Sequence, residues 1–471
     1  MGIIAAYMVP HPPLIVPEVG RGGEKQIEET KNAYEEVARQ IAELRPETIV
    51  ISSPHATAYA DYYHLSPGRK ATGSFRAFRA PQVRFEEEYD AEFVETLGEI
   101  ASKERFPAGT EGERDPELDH GTMVPLYFIR QKYPESKIVR IGLSGLPLSD
   151  HYRMGMLIKR AAEKLDRRVV YVASGDLSHK LQTYGPYGFA HEGPQYDQRI
   201  METCGAAAFD ELFDFTEEFR EKAAECGHGS FVMMAGALDG MALQTKMLSH
   251  QDVTGVGYGI CTFQVIGEDP ERRFLQKREQ EEAMEAQQKR SKEDVYVRLA
   301  RVSLETYITK HKELSLSEAA DEIGEETLPD ELMTRQAGAF VSIHKGGNLR
   351  GCIGTFLPTT ENVGTEILQN AISASTRDPR FRPITEEELP LLEISVDVLG
   401  APEKIDSIKE LDPKKYGVIV TKGFRRGLLL PDLEGVDTAE QQVAIAKQKA
   451  GIAAQEEVSL QRFEVVRHGK V

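Results

Sequence analysis

Positive charge, cysteine and long apolar runs are all scarce in this sequence of 471 residues. Lysine and arginine number 57 against 76 aspartates and glutamates, a formal net charge of -19. Such a field repels phosphate backbones and anionic headgroups, so neither nucleic acid nor a membrane surface is an expected partner, and a small molecule or another protein is. The four cysteines (Cys204, Cys226, Cys261 and Cys352) include no C-x-x-C pair. That excludes a disulfide framework or structural zinc site read from spacing, and predicts reduced thiols. No apolar stretch approaches the ~20 residues of a bilayer span. The opening GIIAAYMV has no basic leader and runs straight into prolines, so a cytoplasmic location is expected.

What the chain does have is enough length for two or three domains, and a hydrophobic content of 40% with 28% charge, which disfavours wholesale disorder. From 1 to 267 short apolar runs alternate with amphipathic stretches, the pattern of a layered α/β domain. IIAAYMV (3–9), TIVISS (48–53), IVRIGLS (138–144) and VVYVAS (169–174) read as strands covered on both faces. Ile27, Tyr34, Val37, Ile41 and Leu44, and then Met154, Leu157, Ile158, Ala161 and Leu165, recur at helical spacing. Residues 268–290 are almost wholly charged or amide and read as a solvated helical linker. From 291 to 471 an amphipathic helix and the runs AFVSIH, LEISVDVL and YGVIVT predict a second domain of α+β class.

Ligands of open α/β sheets collect beyond the carboxyl ends of the strands. Four strand candidates are followed by polar groups: His11 in YMVPHPPLIVPEVG, His55 in SPH, Ser144, Asp150 and His151 in SGLPLSDH, and Asp176 and His179 in SGDLSH. Prolines 10 and 12 hold His11 on a stiff backbone, as suits a ligand or catalytic group. If the strands are parallel neighbours, His11, His55, Asp176 and His179 share one sheet edge. Two imidazoles and a carboxylate make the facial set of non-haem Fe(II), while zinc and manganese accept the same donors. A third ligand can come from AECGHGSF, which offers Glu225, Cys226 and His228. DHG at 119–121 adds His120 behind Asp119, a residue that a helix cap explains equally well.

In VPHPPLIVPEVG, ISSPHA, LDHGTMVPL, ASGDLSH and AECGHGSFVMMAGAL, taken in order, the first domain resembles the class III extradiol dioxygenases of the protocatechuate 4,5-dioxygenase type and their non-enzymatic Memo relatives. The resemblance implies His11, His55 and Glu225 as ligands of Fe(II), His179 as catalytic histidine and His120 as a second active-site histidine. Memo relatives carry a cysteine in the third-ligand region, so Cys226 and Glu225 both remain candidates. Asp176, three residues before His179, is placed to orient it or join the metal.

The second domain resembles the AMME-syndrome candidate-gene family through NLRGCIGTF (348–356), STRDPRFRPIT and GLLLP (427–431). Arg350, Cys352, Arg377 and Asp378, with Arg380, form its candidate site, with Cys352 as nucleophile or attachment point. A buried thiol in a glycine-packed strand is the plainer alternative. The fused order resembles AmmeMemoRadiSam systems, which implies a radical S-adenosylmethionine enzyme as partner. Sheet edges of this class also favour a homo-oligomer. The expected activity is oxidative cleavage of a phenolic or related small aromatic, against a scaffold role for the radical enzyme and against metal-dependent hydrolysis.

Overall fold

A computed structural model describes residues 2–433 and 435–469. The chain divides into two compact units, Met1–Lys277 and Arg278–Val471, the division falling inside the charged stretch.

In the first unit the strands are β1 Ile3–Val9, β2 Thr48–Ser53, β3 Tyr63–His64, β4 Lys70–Phe75, β5 Ala80–Glu88, β6 Ala108–Gly109, β7 Lys137–Gly142, β8 Val169–Ser174, β9 Met241–Gln251 and β10 Tyr258–Glu268. The helices are α1 Pro17–Gly20, α2 Glu28–Leu44, α3 Ala91–Lys103, α4 His120–Lys132, α5 Leu148–Lys164, α6 Glu192–Ala206, α7 Glu217–Ala223 and α8 His228–Ala237. The main sheet runs β7-β2-β8-β1-β10-β9. β7, β2, β8 and β1 are mutually parallel, and β10 and β9 continue antiparallel. β2 and β8 are buried at every residue, which explains why they read as unbroken apolar runs.

Each face of the sheet carries its own core. On one side Ala6 and Met8 of β1 pack with Leu97 of α3, Leu157 of α5, Ile200 of α6 and Phe231 of α8. On the other, Ala5, Tyr7 and Val9 meet Tyr34 and Val37 of α2 and Leu126 of α4. The result is a three-layer α/β unit whose adjacent parallel strands β2, β8 and β1 all end on the same edge. The expected strand boundaries coincide with β1, β2 and β8, and α5 takes up the helical stretch ending near Leu165.

The second unit holds α9 Phe274–Arg290, which begins just before the division, then α10 Val295–Lys310, α11 Leu316–Glu322, α12 Asp330–Thr334, α13 Val363–Thr376 and α14 Ala439–Lys449. Its strands are β11 Ala339–Lys345, β12 Asn348–Gly354, β13 Leu392–Leu399, β14 Glu403–Ile405, β15 Tyr416–Lys422, β16 Arg425–Leu429 and β17 Ser459–His468. They form a sheet ordered β12-β11-β13-β17-β15-β16, with β14 on β17. Period-two alternation sends Val341, Ile343, Ile394 and Val396 under α10 and α13. The intervening residues face the other way.

His228, at the first turn of α8, is fully buried and held neutral: Nε2–H donates to Leu212 O (2.9 Å), leaving Nδ1 to accept from the Tyr196 hydroxyl (3.1 Å). Burial pushes its pKa down to about 3. The unfolded chain therefore takes up this proton first as pH falls, so the contribution to stability is whole above about pH 6.5 and is lost toward pH 3, at a slope of up to about 1.4 kcal/mol per pH unit. Urea unfolding at pH 7.5 and 5.5 checks this: His228→Gln is less stable than wild type at pH 7.5, and the gap narrows at pH 5.5.

Candidate metal centre

The loop after β1 carries His11 and is pinned twice through its backbone. Tyr34 donates its hydroxyl to Pro10 O, and the His11 N–H donates to Asp176 Oδ1 at 2.7 Å. The ring is 1% exposed at residue level and its Nδ1 lies 2.9 Å from Ser174 Oγ. Ser174 has one hydroxyl proton, and it goes to Gly121 O at 2.6 Å. Nδ1 of His11 must then be the donor to Ser174, which leaves Nε2 as a bare lone pair. That lone pair faces His55 Nε2 at 3.1 Å and Cys226 Sγ at 3.6 Å.

His55 is positioned through a relay. Its N–H donates to Ser53 Oγ (3.2 Å), Ser53 donates to Asp119 Oδ1 (2.5 Å), and Asp119 caps α4 by accepting the Thr122 N–H (3.0 Å). The same aspartate thus fixes the loop of His55 and starts the helix whose first residue is His120. The His120 ring lies 4.0 Å from that of His55 and 5.4 Å from that of His11, centroid to centroid. Burial and the neighbouring imidazoles push both His11 and His120 down to about 3, so both are neutral at pH 7.

Cys226 arrives from the turn between α7 and α8. This approach needs two glycines: a Cβ on Gly175 would sit 2.1 Å from Gly227 Cα, so only bare backbone lets the end of β8 touch the start of α8. Burial pushes the Cys226 thiol far up. The donor atoms of His11, His55 and Cys226 all lie within 4.8 Å of one another, and these three residues could hold one metal ion.

Glu225 points elsewhere. Its Oε2 accepts the His228 N–H at 2.7 Å and its Oε1 lies 3.5 Å from Arg220, so this carboxylate closes the amino end of α8. Of the two adjacent candidates for third ligand, the structure brings the sulfur to the histidines. Asp176, pushed up to about 6 by burial, orients the His11 backbone rather than the His179 ring. His179 stacks on Tyr187 (centroids 5.1 Å), and its Nε2 is buried with no partner among the described residues. Burial, opposed by Asp176, lowers its pKa.

The third strand-end group does not join the site. β7 stops at Gly142 on the sheet edge, and Asp150 and His151 belong to α5. His151 is a buried core histidine bonded to Tyr63 Oη (3.0 Å). Ser174, Ser53 and the Gly175/Gly227 contact went unread in the sequence; the only signal for them is a serine closing each of two strands beside the candidate loops.

In the second unit Cys352 lies on β12 and is half-buried, its sulfur accepting from the Ser342 hydroxyl at 3.2 Å. Its N–H donates to Asp378 Oδ2 (2.9 Å), and Arg380, clamped by the same carboxylate, donates to Cys352 O (3.2 Å). Arg350 instead grips Glu388 (2.9 and 3.0 Å) and the carbonyls of Arg382 and Pro383, and Arg377 is exposed at the end of α13. Of the expected set, the structure joins Cys352 to Asp378 and to Arg380 and leaves Arg350 in a structural clamp.

The first unit is thus a three-layer α/β domain with two histidines and a thiol gathered at the edge of its parallel strands. Residues 5–261 match the family described as the catalytic LigB subunit of aromatic ring-opening dioxygenase, and the chain belongs to that family. Residues 297–468 match the AMMECR1 family. A protein of Clostridium acetobutylicum is 41% identical over 475 residues, covering 99% of each chain. The 2-aminophenol 1,6-dioxygenase beta subunit of a Pseudomonas species is 25% identical over 56% of this chain and 94% of its own. A solved structure of an uncharacterized Pyrococcus horikoshii protein aligns with 36% of this chain and 88% of its own at 30% identity and a TM-score of 0.33. Among the described residues no helix is long and apolar enough to cross a membrane.

Removing the Ser174 acceptor frees the His11 ring to change tautomer. Ser174→Ala is expected to weaken binding of Fe(II) or Zn(II) about 10–100-fold in chelator competition, with an unchanged far-ultraviolet circular dichroism spectrum.

Proposed function

We propose that this protein is a metal-dependent oxidoreductase that uses Fe(II), held by His11, His55 and the Cys226 thiolate, to act on a phenolic or related small aromatic. The observation that carries this reading is the convergence of the three donors around the lone pair that Ser174 fixes on His11. The donor set fits such an ion. His11 is available as a neutral ligand, and a thiol whose proton is held by burial exchanges that proton for a cation, so binding releases it. Three protein ligands leave open positions, and bound iron would supply a path for electrons from the substrate, which is oxidised, to dioxygen, which is reduced.

The remaining roles belong to the chain. His179, neutral and with Nε2 unpaired, takes the proton of a substrate hydroxyl and later returns it. His120, neutral beside His55, supplies a hydrogen bond to the bound substrate. Tyr187, stacked on His179, screens that base from water. The likeness to an aminophenol dioxygenase subunit supports catechol and 2-aminophenol as the first probes.

A second reading draws on the sulfur ligand, which departs from the carboxylate expected of the facial set. Thiolate favours zinc as well as iron, and a zinc-loaded centre fits a scaffold or a hydrolase, in the first case serving a radical S-adenosylmethionine partner.

Elemental analysis of anaerobically purified protein and oxygen-electrode assays separate these readings. About one iron per chain is expected, lost in the His11→Ala/His55→Ala double variant and in Cys226→Ala but kept in Glu225→Gln. His179→Gln keeps its iron and loses about a hundredfold or more of the oxygen uptake on catechol or 2-aminophenol. Iron retained in the double variant sinks the site. Zinc in place of iron, with no oxygen uptake, moves the conclusion to the second reading.

A further inference from the structure

The second unit contains a cleft that the metal centre does not involve. Because β11 and β13 alternate, the residues between those under α10 and α13 (Phe340, Ser342 and His344 on one strand, Glu393, Ser395 and Asp397 on the other) line a cavity of about 1090 Å³. That volume suits a small-molecule ligand. We propose that this cleft binds a purine nucleotide, with the N–H edge of the base at Glu393 and His344, the ring on Phe340 and the phosphate at Lys414 and Lys415.

Three observations carry the assignment. First, one end of the cleft is short of hydrogen-bond partners. Glu393 Oε1 accepts from Lys289 at 2.8 Å, but Oε2 is buried with no partner among the described residues, and so is Nδ1 of His344, its register partner on β11. A carboxylate oxygen accepts only, so it selects a ligand that brings N–H or O–H groups, as a purine edge does.

Second, the middle of the cleft is apolar. Phe340, Leu428, Leu430 and Val465 pack over Leu399, Ile419 and Phe463. Phe340 lies across Gly354, where a Cβ would come within 2.2 Å of the ring, so the glycine of the GCIGT motif lets one ring face seat on β12 and leaves the other to the cleft. Base stacking on such a face is tolerant of which base is bound.

Third, exposed lysines stand at the other end of the cleft in a protein of formal charge -19. Five basic side chains line the cleft, of which Lys289 pairs with Glu393 and Arg467 with Asp397, leaving Lys414, Lys415 and Lys449 as the ones not held by an acid of β13. Lys414 pairs with Asp432 and Asp437, and Lys415 with Glu464, at 3.4–3.7 Å, but each of these partners is more than 60% exposed. Pairs of that kind are weak and yield to a phosphate. Lys415 and its partner Glu464 lie beside Val465, which stands opposite Leu399, beyond Asp397 on β13. From Glu393 to Asp397 the strand spans about 13 Å, room for a base and a sugar between the two ends.

The test is calorimetric titration of the full-length protein with GMP and AMP, beside guanosine, adenosine and inorganic phosphate. At least one nucleotide is expected to bind saturably, and its nucleoside and phosphate alone to bind at least tenfold more weakly. Glu393→Gln and the Lys414→Ala/Lys415→Ala double variant should each weaken the nucleotide at least tenfold while keeping the wild-type metal content. No binding of either nucleotide at millimolar concentration overturns the proposal, and so does binding that both variants leave unchanged. Should Glu393→Gln fail to fold, the lysine variant, at two exposed positions, decides alone.

Discussion

The proton on the Ser174 hydroxyl is a small constraint that sets the geometry of the N-terminal site. Because it is committed to Gly121 O, Nδ1 of His11 must donate to Ser174, and the lone pair on Nε2 has only one direction to point. Ser174 can play this part because it ends β8, the strand between β2 and β1 in the sheet. Gly121 can because it is the second residue of α4, seated so close to β2 that a Cβ there would meet Ser53 Oγ at 2.3 Å. One hydrogen bond therefore ties the sheet edge, the α4 helix and the His11 loop to a common frame, and orients a candidate ligand that the flanking prolines alone would only restrain.

Electrostatics acts in the same direction. The site gathers three imidazoles within contact distance, His11 buried, His120 half-buried and His55 open to solvent, and burial makes charge costly on the first two. Burial keeps His11 and His120 neutral, and the two nearby carboxylates are already engaged: Asp119 by Ser53 and Thr122, Asp176 by the His11 backbone. His11 thus offers an electron pair where a proton is disfavoured, as a candidate metal ligand must.

Much of this is legible in the sequence because parallel strands buried on both faces leave an unmistakable record: continuous apolar runs with chemistry just after them. That record alone bounds β1, β2 and β8, and with them it places His11, His55, Asp176 and His179. The same rule misplaces Asp150 and His151, since β7 leads through a short turn into α5, whose inward face buries a histidine as readily as a leucine. Nor can sequence separate Glu225 from Cys226. Adjacent residues in a turn point in different directions, and the direction here is set by the contact of Gly175 with Gly227, two glycines 52 positions apart that no periodicity connects. Arg350 illustrates the same limit in the second unit. Its neighbour in sequence, Gly351, turns toward α13, while Arg380, distant in sequence, is brought to Cys352 by the Asp378 clamp.

The choice of sulfur over carboxylate has a consequence for how the N-terminal site is tuned. A carboxylate ligand in that place would bring a fixed negative charge and two oxygens, and would need its second oxygen satisfied in a pocket where Asp176 is already present. A thiol brings neither until a metal displaces its proton, so under the proposed function Cys226 would add no charge to the pocket before the cation that neutralises it arrives. Glu225 is then free to serve the fold, closing the amino end of α8 against Arg220 and His228. Fold and site thus divide two neighbouring residues between them: the carboxylate holds the helix in place, and the helix holds the thiol at the histidines.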